Sequence, residues 1–213
     1  MDGIASDQEI IRILNRLVSF YGQQDWWEDP NRIADWVAMI LIQQTNQTNA
    51  ELALANLKGQ LSLEALLAID LTELEQLVYP AGFYRQKARY IKALMQWFAD
   101  QGGEIAKFTQ VPTADLRQEL LKIKGVGQET ADVMLLYIFE RNVFICDQYA
   151  MRLFCRLGLG DYRTYSQMRL AVNHLVEGIP HKLCKEWHAC IDVHGKHFRR
   201  HKDMDESWLF PEN

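Results

Sequence analysis

Apolar side chains recur every three or four residues along most of this chain, the spacing that places side chains on one face of an α-helix. Residues 6–22 show this pattern and end at Gly22, and residues 163–176 and 183–198 show it again near the other end. The apolar run 143–146 has the character of a strand, but no other segment offers it a partner. The pattern therefore predicts an all-α fold.

Further helical segments are predicted between these ends. One spans about 33–41 and is apolar on nearly all sides, which indicates a buried helix. Residues 61–77 are consistent with two short helices separated near Asp70, and a long helix extends to about Trp97. Another helix begins at about Thr113 and runs into a glycine-containing turn.

Composition narrows the class of protein. The chain has 213 residues, 48% of them hydrophobic, which suits one domain or two small ones with an ordinary core. No run is long enough to span a membrane and no secretory signal opens the chain, so we expect a cytoplasmic protein. We also expect a monomer. The four cysteines form no Cys-x-x-Cys pair, which favours reduced thiols over a disulfide framework or a zinc site.

Charge gives a weaker indication. The net charge of −5 argues mildly against a nucleic-acid partner. Binding depends on local patches, however, and basic residues gather at 85–89, 122–124 and 196–202. We expect a footprint of ~3–6 phosphates with modest salt dependence.

The turn in the middle of the chain is the first candidate for chemistry. An apolar helix end leads into Gly125-Val126-Gly127, and a new apolar-periodic segment starts at Ala131. Glycines permit backbone angles that other residues avoid, and Val126 can pack into the core. The N–H groups that open the next helix would then bind one phosphate. The alternative is a tight turn without a ligand.

Asp147 is the second candidate. It follows the apolar run 143–146 and precedes a helical segment that starts at Gln148. Aspartate in this position commonly caps the helix. The other interpretation is a carboxylate that faces a cleft.

Together these features resemble the helix-hairpin-helix DNA glycosylase superfamily, which has the endonuclease III fold. The family pattern Leu-Pro-Gly-Val-Gly-x-x-Thr-Ala corresponds to Ile123-Lys124-Gly125-Val126-Gly127-Gln128-Glu129-Thr130-Ala131 here, and Asp147 follows position 129 by 18 residues (147 − 129), as in the family. The resemblance implies a two-lobed helical fold with a DNA cleft between the lobes. Residues 24–137 would form a six-helix-barrel lobe that includes the hairpin (about 115–140). Residues 1–23 and 138–213 would form the lobe that carries the catalytic aspartate.

The resemblance also assigns roles to DNA-binding residues. Contacts to DNA would come from the hairpin, through Lys124, Gly125, Gly127 and Thr130, and the hairpin can also hold a monovalent cation. The Gln-x-Thr corner of the family, whose glutamine enters the minor groove, matches Gln43 best, with Gln44 as its neighbour; capping within a solvated turn is the alternative. Phe83 follows the glycine of a Gly-aromatic-Tyr-x-x-Lys-Ala motif, where the family has a wedge; the alternative is a core aromatic at a helix start.

Two departures from the parent family shape the functional expectation. Glu129 stands where bifunctional members carry the lyase lysine, and a Schiff base needs an amine. The sequence therefore predicts a glycosylase without AP lyase activity, in which Glu129 either supports the pocket or lies on the surface. The segment after the final helix has no cysteines, so no 4Fe-4S cluster is expected and no metal site is assigned to its histidines.

The paired tryptophans and the His-Gly-Lys segment narrow the resemblance to the cluster-less bacterial 3-methyladenine DNA glycosylases. In that branch Trp26, Trp27 and Lys196 would line or border the base pocket, although both indoles can also be packing residues. The implied function is hydrolysis of the glycosidic bond of a flipped-out alkylated purine in double-stranded DNA, with Asp147 as the catalytic carboxylate. Two alternatives remain: a glycosylase for an oxidised pyrimidine or a mismatch, and an inactive DNA-binding protein.

Overall fold

The computed structural model describes residues 5–26 and 30–210, and within these ranges the regular structure is entirely helical. The eleven α-helices in this part of the chain are α1 Asp7–Tyr21, α2 Arg32–Leu41, α3 Gln47–Asn56, α4 Leu63–Ala68, α5 Leu71–Leu77, α6 Tyr84–Asp100, α7 Thr113–Lys122, α8 Gln128–Tyr137, α9 Gln148–Arg156, α10 Tyr165–Val172 and α11 His181–Arg200. No helix in the described ranges combines the length and apolar character of a bilayer span.

Short polar side chains explain where most of these helices begin. Asn31 caps α2 and Asn46 caps α3, each through its side-chain oxygen. Asp70 caps α5, which accounts for the predicted break between the two short helices. An N-cap side chain satisfies an N–H group that has no partner within the helix. At the other end of α1, Gly22 adopts φ +74° and donates its N–H to the Val18 carbonyl.

Two predicted elements differ from the observed ones. The segment 163–176 is not one helix, because α10 ends at Val172 and a 3-10 turn, Asn173–Val176, follows. The run 143–146 is buried but forms no strand, and it has no regular secondary structure. Instead, the Phe144 N–H donates to the Asn173 side-chain oxygen at 3.0 Å.

The chain divides into two compact units, Met1–Trp26 with Arg141–Asn213, and Trp27–Glu140. In the first unit, α11 packs against α1 and α9. A buried network at its C-terminal end joins Glu206 to the Arg156 guanidinium and to His194, whose other ring nitrogen lies 2.9 Å from the Tyr21 hydroxyl. The lobes predicted at residues 24–137 and 1–23 with 138–213 stay a prediction.

In the second unit, α6 packs against α4, α5 and α2, and α7 packs against α8. Its core contains an aromatic cluster in which Trp36 lies 4.5 Å from Phe98 and 5.7 Å from Phe139, measured between ring centres. A bidentate ion pair joins the two hairpin helices: Arg117 of α7 donates to both carboxylate oxygens of the fully buried Asp132 of α8, at 2.7 and 3.1 Å. These contacts fix the turn between α7 and α8.

Candidate DNA-repair site

Helices α7 and α8 and the turn between them form a helix-hairpin-helix motif, and the two glycines of the turn have different roles. Gly125 adopts φ +94°, and a Cβ there would lie 2.1 Å from the Tyr90 ring, so only glycine fits. Gly127 has φ −86° and open space around it, so its conformation does not require glycine. It serves instead as the N-cap of α8, where no side chain covers the helix start. Val126 is buried, as its apolar character predicts.

Gln43 supports this hairpin directly. Its side-chain amide donates to the Gly125 carbonyl and to the Thr130 hydroxyl, both at 3.1 Å. The neighbouring Gln44 is exposed. Of the two glutamines, Gln43 is therefore engaged within the protein, whereas Gln44 is exposed and lines the adjoining cavity.

A cavity of about 280 Å³ lies beside the hairpin, lined in part by Gln44, Phe83, Lys87 and Gly125. Gln44 and Phe83 have φ values of +52° and +46°, a region that L-residues with large side chains rarely adopt. Phe83 is also 59% exposed, so it is not a core aromatic. Backbone strain of this kind clusters at functional sites, where the surroundings maintain it.

Lys87 lines the same cavity. Its ammonium donates to the carbonyls of Leu41 and Ala81 at 2.8 and 2.7 Å. The side chain is buried, and burial lowers its pKa to about 8. It thus satisfies backbone carbonyls at the end of α2 and ahead of the strained Phe83.

The remaining hairpin residues lie near the N-terminus of α8. Lys124 is exposed in the turn, and Thr130 is half-buried and accepts a hydrogen bond from the Gln43 amide. Glu129, the second residue of α8, keeps an exposed side chain, yet neighbouring protein atoms desolvate its carboxyl enough to raise its pKa. The position of the family's lysine is thus occupied by an acid near a helix N-terminus.

In the other unit, Asp147 begins α9. Its Oδ1 accepts the Ala150 N–H at 2.8 Å, so the side chain does cap the helix. Its Oδ2 lies 3.9 Å from Nε2 of His188 on α11. The carboxylate is thus fixed through one oxygen while the other faces a second functional group, and capping does not exclude the role that the sequence predicts.

Trp26 lies beside the same histidine. The indole and the imidazole meet edge-to-face, with ring centres 5.9 Å apart and planes at 88°. The loop before Trp26 is attached to α11, because the Gln24 and Asp25 N–H groups donate to the buried Glu186 carboxylate at 2.7 and 3.3 Å. Trp27 lies outside the described residues.

Lys196 approaches Trp26 from the later part of α11. Its Nζ lies 5.6 Å from the centre of the Trp26 ring and 2.6 Å from Oδ2 of Asp192, one helical turn earlier. The preceding Gly195 allows α11 to approach α9 closely, since a Cβ there would lie 2.2 Å from the Tyr149 ring. The structure therefore brings Trp26, Lys196 and the Asp147–His188 pair into one neighbourhood within this unit.

His188 is the residue that sequence reasoning missed. It is buried beside Asp147, and desolvation lowers its pKa to about 4, with the nearby Lys196 charge acting in the same direction. A signal was present in the sequence, because His188, Asp192 and Lys196 are spaced by four residues and therefore share one side of a helix.

Three of the four cysteines lie in the protein interior. Cys146, Cys184 and Cys190 are buried and Cys155 is exposed, and burial raises the pKa of the Cys184 and Cys190 thiols to about 12. Cys190 donates to the Gly22 carbonyl and Cys146 to the Phe144 carbonyl, both at 3.6 Å. Across residues 5–26 and 30–210, no group of three or more His, Cys, Asp or Glu side chains is arranged to hold a metal ion.

Comparisons with known proteins agree with this geometry. A model of the HhH-GPD superfamily of base excision DNA repair proteins matches residues 37–178, well over half of the chain. A candidate DNA repair glycosylase of Methanocaldococcus jannaschii is 38% identical over 202 residues, which cover 92% of this chain and 90% of that protein.

Two solved structures share the fold. The 3-methyladenine DNA glycosylase of H. pylori, bound to 1,N6-ethenoadenine, has a TM-score of 0.75 at 23% identity and covers 94% of this chain and 100% of its own. A non-covalent endonuclease III–DNA complex has a TM-score of 0.69 at 23% identity, covering 88% and 85%. The all-α, endonuclease III-like fold predicted from the sequence is confirmed, and the chain belongs to the HhH-GPD superfamily of base excision DNA repair proteins.

Proposed function

We propose that this base excision repair protein is a monofunctional DNA N-glycosylase that releases an alkylated purine, such as 3-methyladenine, from double-stranded DNA. The observation that carries the proposal is the neighbourhood of Asp147, Trp26 and Lys196 in one unit. A base inside a duplex is out of reach, so the damaged nucleotide must first be extruded into such a site.

The charges of this neighbourhood suit a cationic base. The ammonium of Lys196 is paired with Asp192, and burial keeps His188 neutral near pH 7, so the imidazole adds no positive charge beside Asp147. The face of the Trp26 indole attracts cations, by about 1–2 kcal/mol where water is excluded. N-alkylated purines carry a positive charge, whereas undamaged bases do not, which provides a basis for discrimination.

Asp147 supplies the chemistry in this proposal. A positively charged base is a good leaving group and needs little acid catalysis. As its bond to the sugar breaks, positive charge develops on the deoxyribose, and a fixed carboxylate stabilises that charge and orients the attacking water. The Ala150 N–H holds Oδ1 of Asp147, so the carboxylate needs little reorganisation during the reaction.

Two positions support the proposed lack of lyase chemistry. Cleavage of the DNA backbone through a Schiff base needs an unprotonated lysine as nucleophile. Glu129 occupies the family's lysine position and cannot form an imine. The amine of Lys196 is engaged in its ion pair with Asp192, at 2.6 Å.

In this proposal the hairpin binds DNA together with Gln44 and Phe83, the two non-glycine residues with positive φ that line the cavity beside it. The uncapped start of α8, with Gly125, Gly127 and Lys124 near it, suits one phosphate, alone or with a monovalent cation. Exposed Phe83 suits the wedge that fills the gap left by an extruded base. The minor-groove role of Gln43 stays a prediction, because its amide is engaged with the hairpin while Gln44 is exposed.

A panel of duplexes tests the proposal. Each carries one lesion (an N-alkylated purine, an oxidised pyrimidine, a mismatch or an undamaged pair), and base release is measured under single-turnover conditions before and after alkali treatment. We expect release from the alkylated duplex, with strand breaks only after alkali. Preferred release of an oxidised pyrimidine or a mismatched base would overturn the substrate assignment. Covalent trapping by borohydride would overturn the monofunctional assignment, and its loss in a Lys124→Ala or Lys196→Ala variant would identify the amine.

A further inference from the structure

His188 is a largely buried ionisable group beside the proposed catalytic carboxylate, and no role has yet been given to it. The side chains of His188 and Asp147 are each only 12% exposed, and His188 Nε2 lies 3.9 Å from Asp147 Oδ2. We propose that His188 is a positioning residue, whose imidazole sets the orientation of the second oxygen of Asp147 next to the base platform. This inference rests on the proposed function.

The two carboxylate oxygens have different neighbours. Oδ1 accepts a short hydrogen bond from the Ala150 N–H, which is part of the first turn of α9. Contacts to both oxygens restrain the rotation of a carboxylate more than a contact to one oxygen does. The imidazole of His188, on the separate helix α11, lies beside Oδ2 and adds such a restraint. The distance of 3.9 Å suits a bridging water, or a contact that shortens when substrate binds.

The same imidazole lies against Trp26, edge-to-face. His188 therefore contacts both the group that would stack on the extruded base and the group that would face its sugar. A displacement of about 1 Å between such groups can cost about a hundredfold in rate. A shared neighbour that fixes both of them is a direct way to maintain their separation.

Neutrality makes histidine better suited to this place than lysine or arginine. Burial, with a smaller contribution from Lys196, lowers the pKa of His188 to about 4, so the ring is uncharged at neutral pH. A neutral imidazole has one N–H donor and one acceptor. It can orient a carboxylate without cancelling the negative charge that the developing sugar cation needs.

A double-mutant cycle on the full chain tests the role. His188→Ala and His188→Gln are made in the natural protein and in Asp147→Asn, and base release is timed on the duplex that the natural protein cleaves in the lesion panel. We expect His188→Ala to slow release by about 10- to 100-fold while affinity for an abasic duplex stays within about twofold. His188→Gln, which keeps a neutral donor, should recover much of the rate.

The cycle separates positioning from direct contact with the base. If His188 acts through Asp147, its replacement should cost little in the Asp147→Asn background. An equal loss in both backgrounds, or natural rates in His188→Ala, would overturn the proposal. Thermal unfolding of each variant identifies any loss that merely reflects instability.

A readout on the free protein distinguishes failure of this inference from failure of the proposed function. The ¹⁵N NMR shifts of the His188 ring should change in Asp147→Asn, because the ring loses a charged neighbour. Unchanged shifts would overturn the pairing even in an active enzyme. Natural protein that releases no base from any duplex would instead overturn the proposed function, and the catalytic meaning of His188 with it.

Discussion

Asp147 offers the sharpest test, because it performs two tasks that two substitutions separate. The capping task depends only on an oxygen that accepts the Ala150 N–H at 2.8 Å. Asparagine offers the same acceptor and is itself a good N-cap, whereas alanine offers none. The proposed catalytic task depends on negative charge, which both Asp147→Asn and Asp147→Ala remove.

The magnitudes follow from these roles. Loss of the cap in Asp147→Ala should cost about 1 kcal/mol, which lowers the Tm of a protein of this size by about 2–4 °C. Asp147→Asn should change the Tm much less, losing only the interaction of the charge with the helix dipole. Both variants should lose base release by a hundredfold or more, equivalent to about 2.7 kcal/mol of transition-state stabilisation.

The assays are thermal unfolding, single-turnover release from an alkylated duplex, and binding to an abasic duplex. Binding should survive in Asp147→Asn. Release at a near-natural rate in that variant would show that Asp147 is only a helix cap. Equal destabilisation of the two variants would instead refute the capping argument, because it would mean that the lost charge and not the lost hydrogen bond matters for stability.

Three further predictions use matched pairs or pH. Gly125→Ala should destabilise the hairpin and weaken DNA binding, because the added Cβ would collide with the Tyr90 ring. Gly127→Ala should fold normally, because open space surrounds that position. Equal unfolding curves for the two variants would contradict this reasoning. Gln43→Ala should lower the free energy of unfolding, because two hydrogen bonds to the hairpin are lost. Gln44→Ala should leave stability unchanged and affect only base release or DNA binding. A calorimetric scan and a DNA-binding titration of both variants distinguish the two effects. The free energy of unfolding should fall as pH drops from about 6.5 to about 4, because the unfolded chain protonates His188 and the folded chain does not. His188→Gln should flatten that part of the pH–stability curve, and an unchanged slope would rule this cause out.

Local sequence signals determined much of this protein. Helix bounds followed apolar spacing and caps such as Asn31 and Asp70, because capping and periodicity involve residues only a few positions apart. The hairpin could be predicted for the same reason, because the requirement for glycine at position 125, where φ is positive, arises within a single turn of the chain. The position of Asp147 at the start of α9 was also set locally, by an apolar run followed by a helix.

Only the tertiary structure decided what surrounds that carboxylate. Trp26 and His188 meet although they stand at opposite ends of the chain, and Gln43 reaches Gly125 across 82 residues. Such contacts arise from the packing of whole helices, as where α11 approaches α9 at Gly195, and no short stretch of sequence encodes them. The sequence therefore determined which groups were available, and the packing of the helices decided which of them meet, because burial and charge pairing depend on neighbours that are distant along the chain.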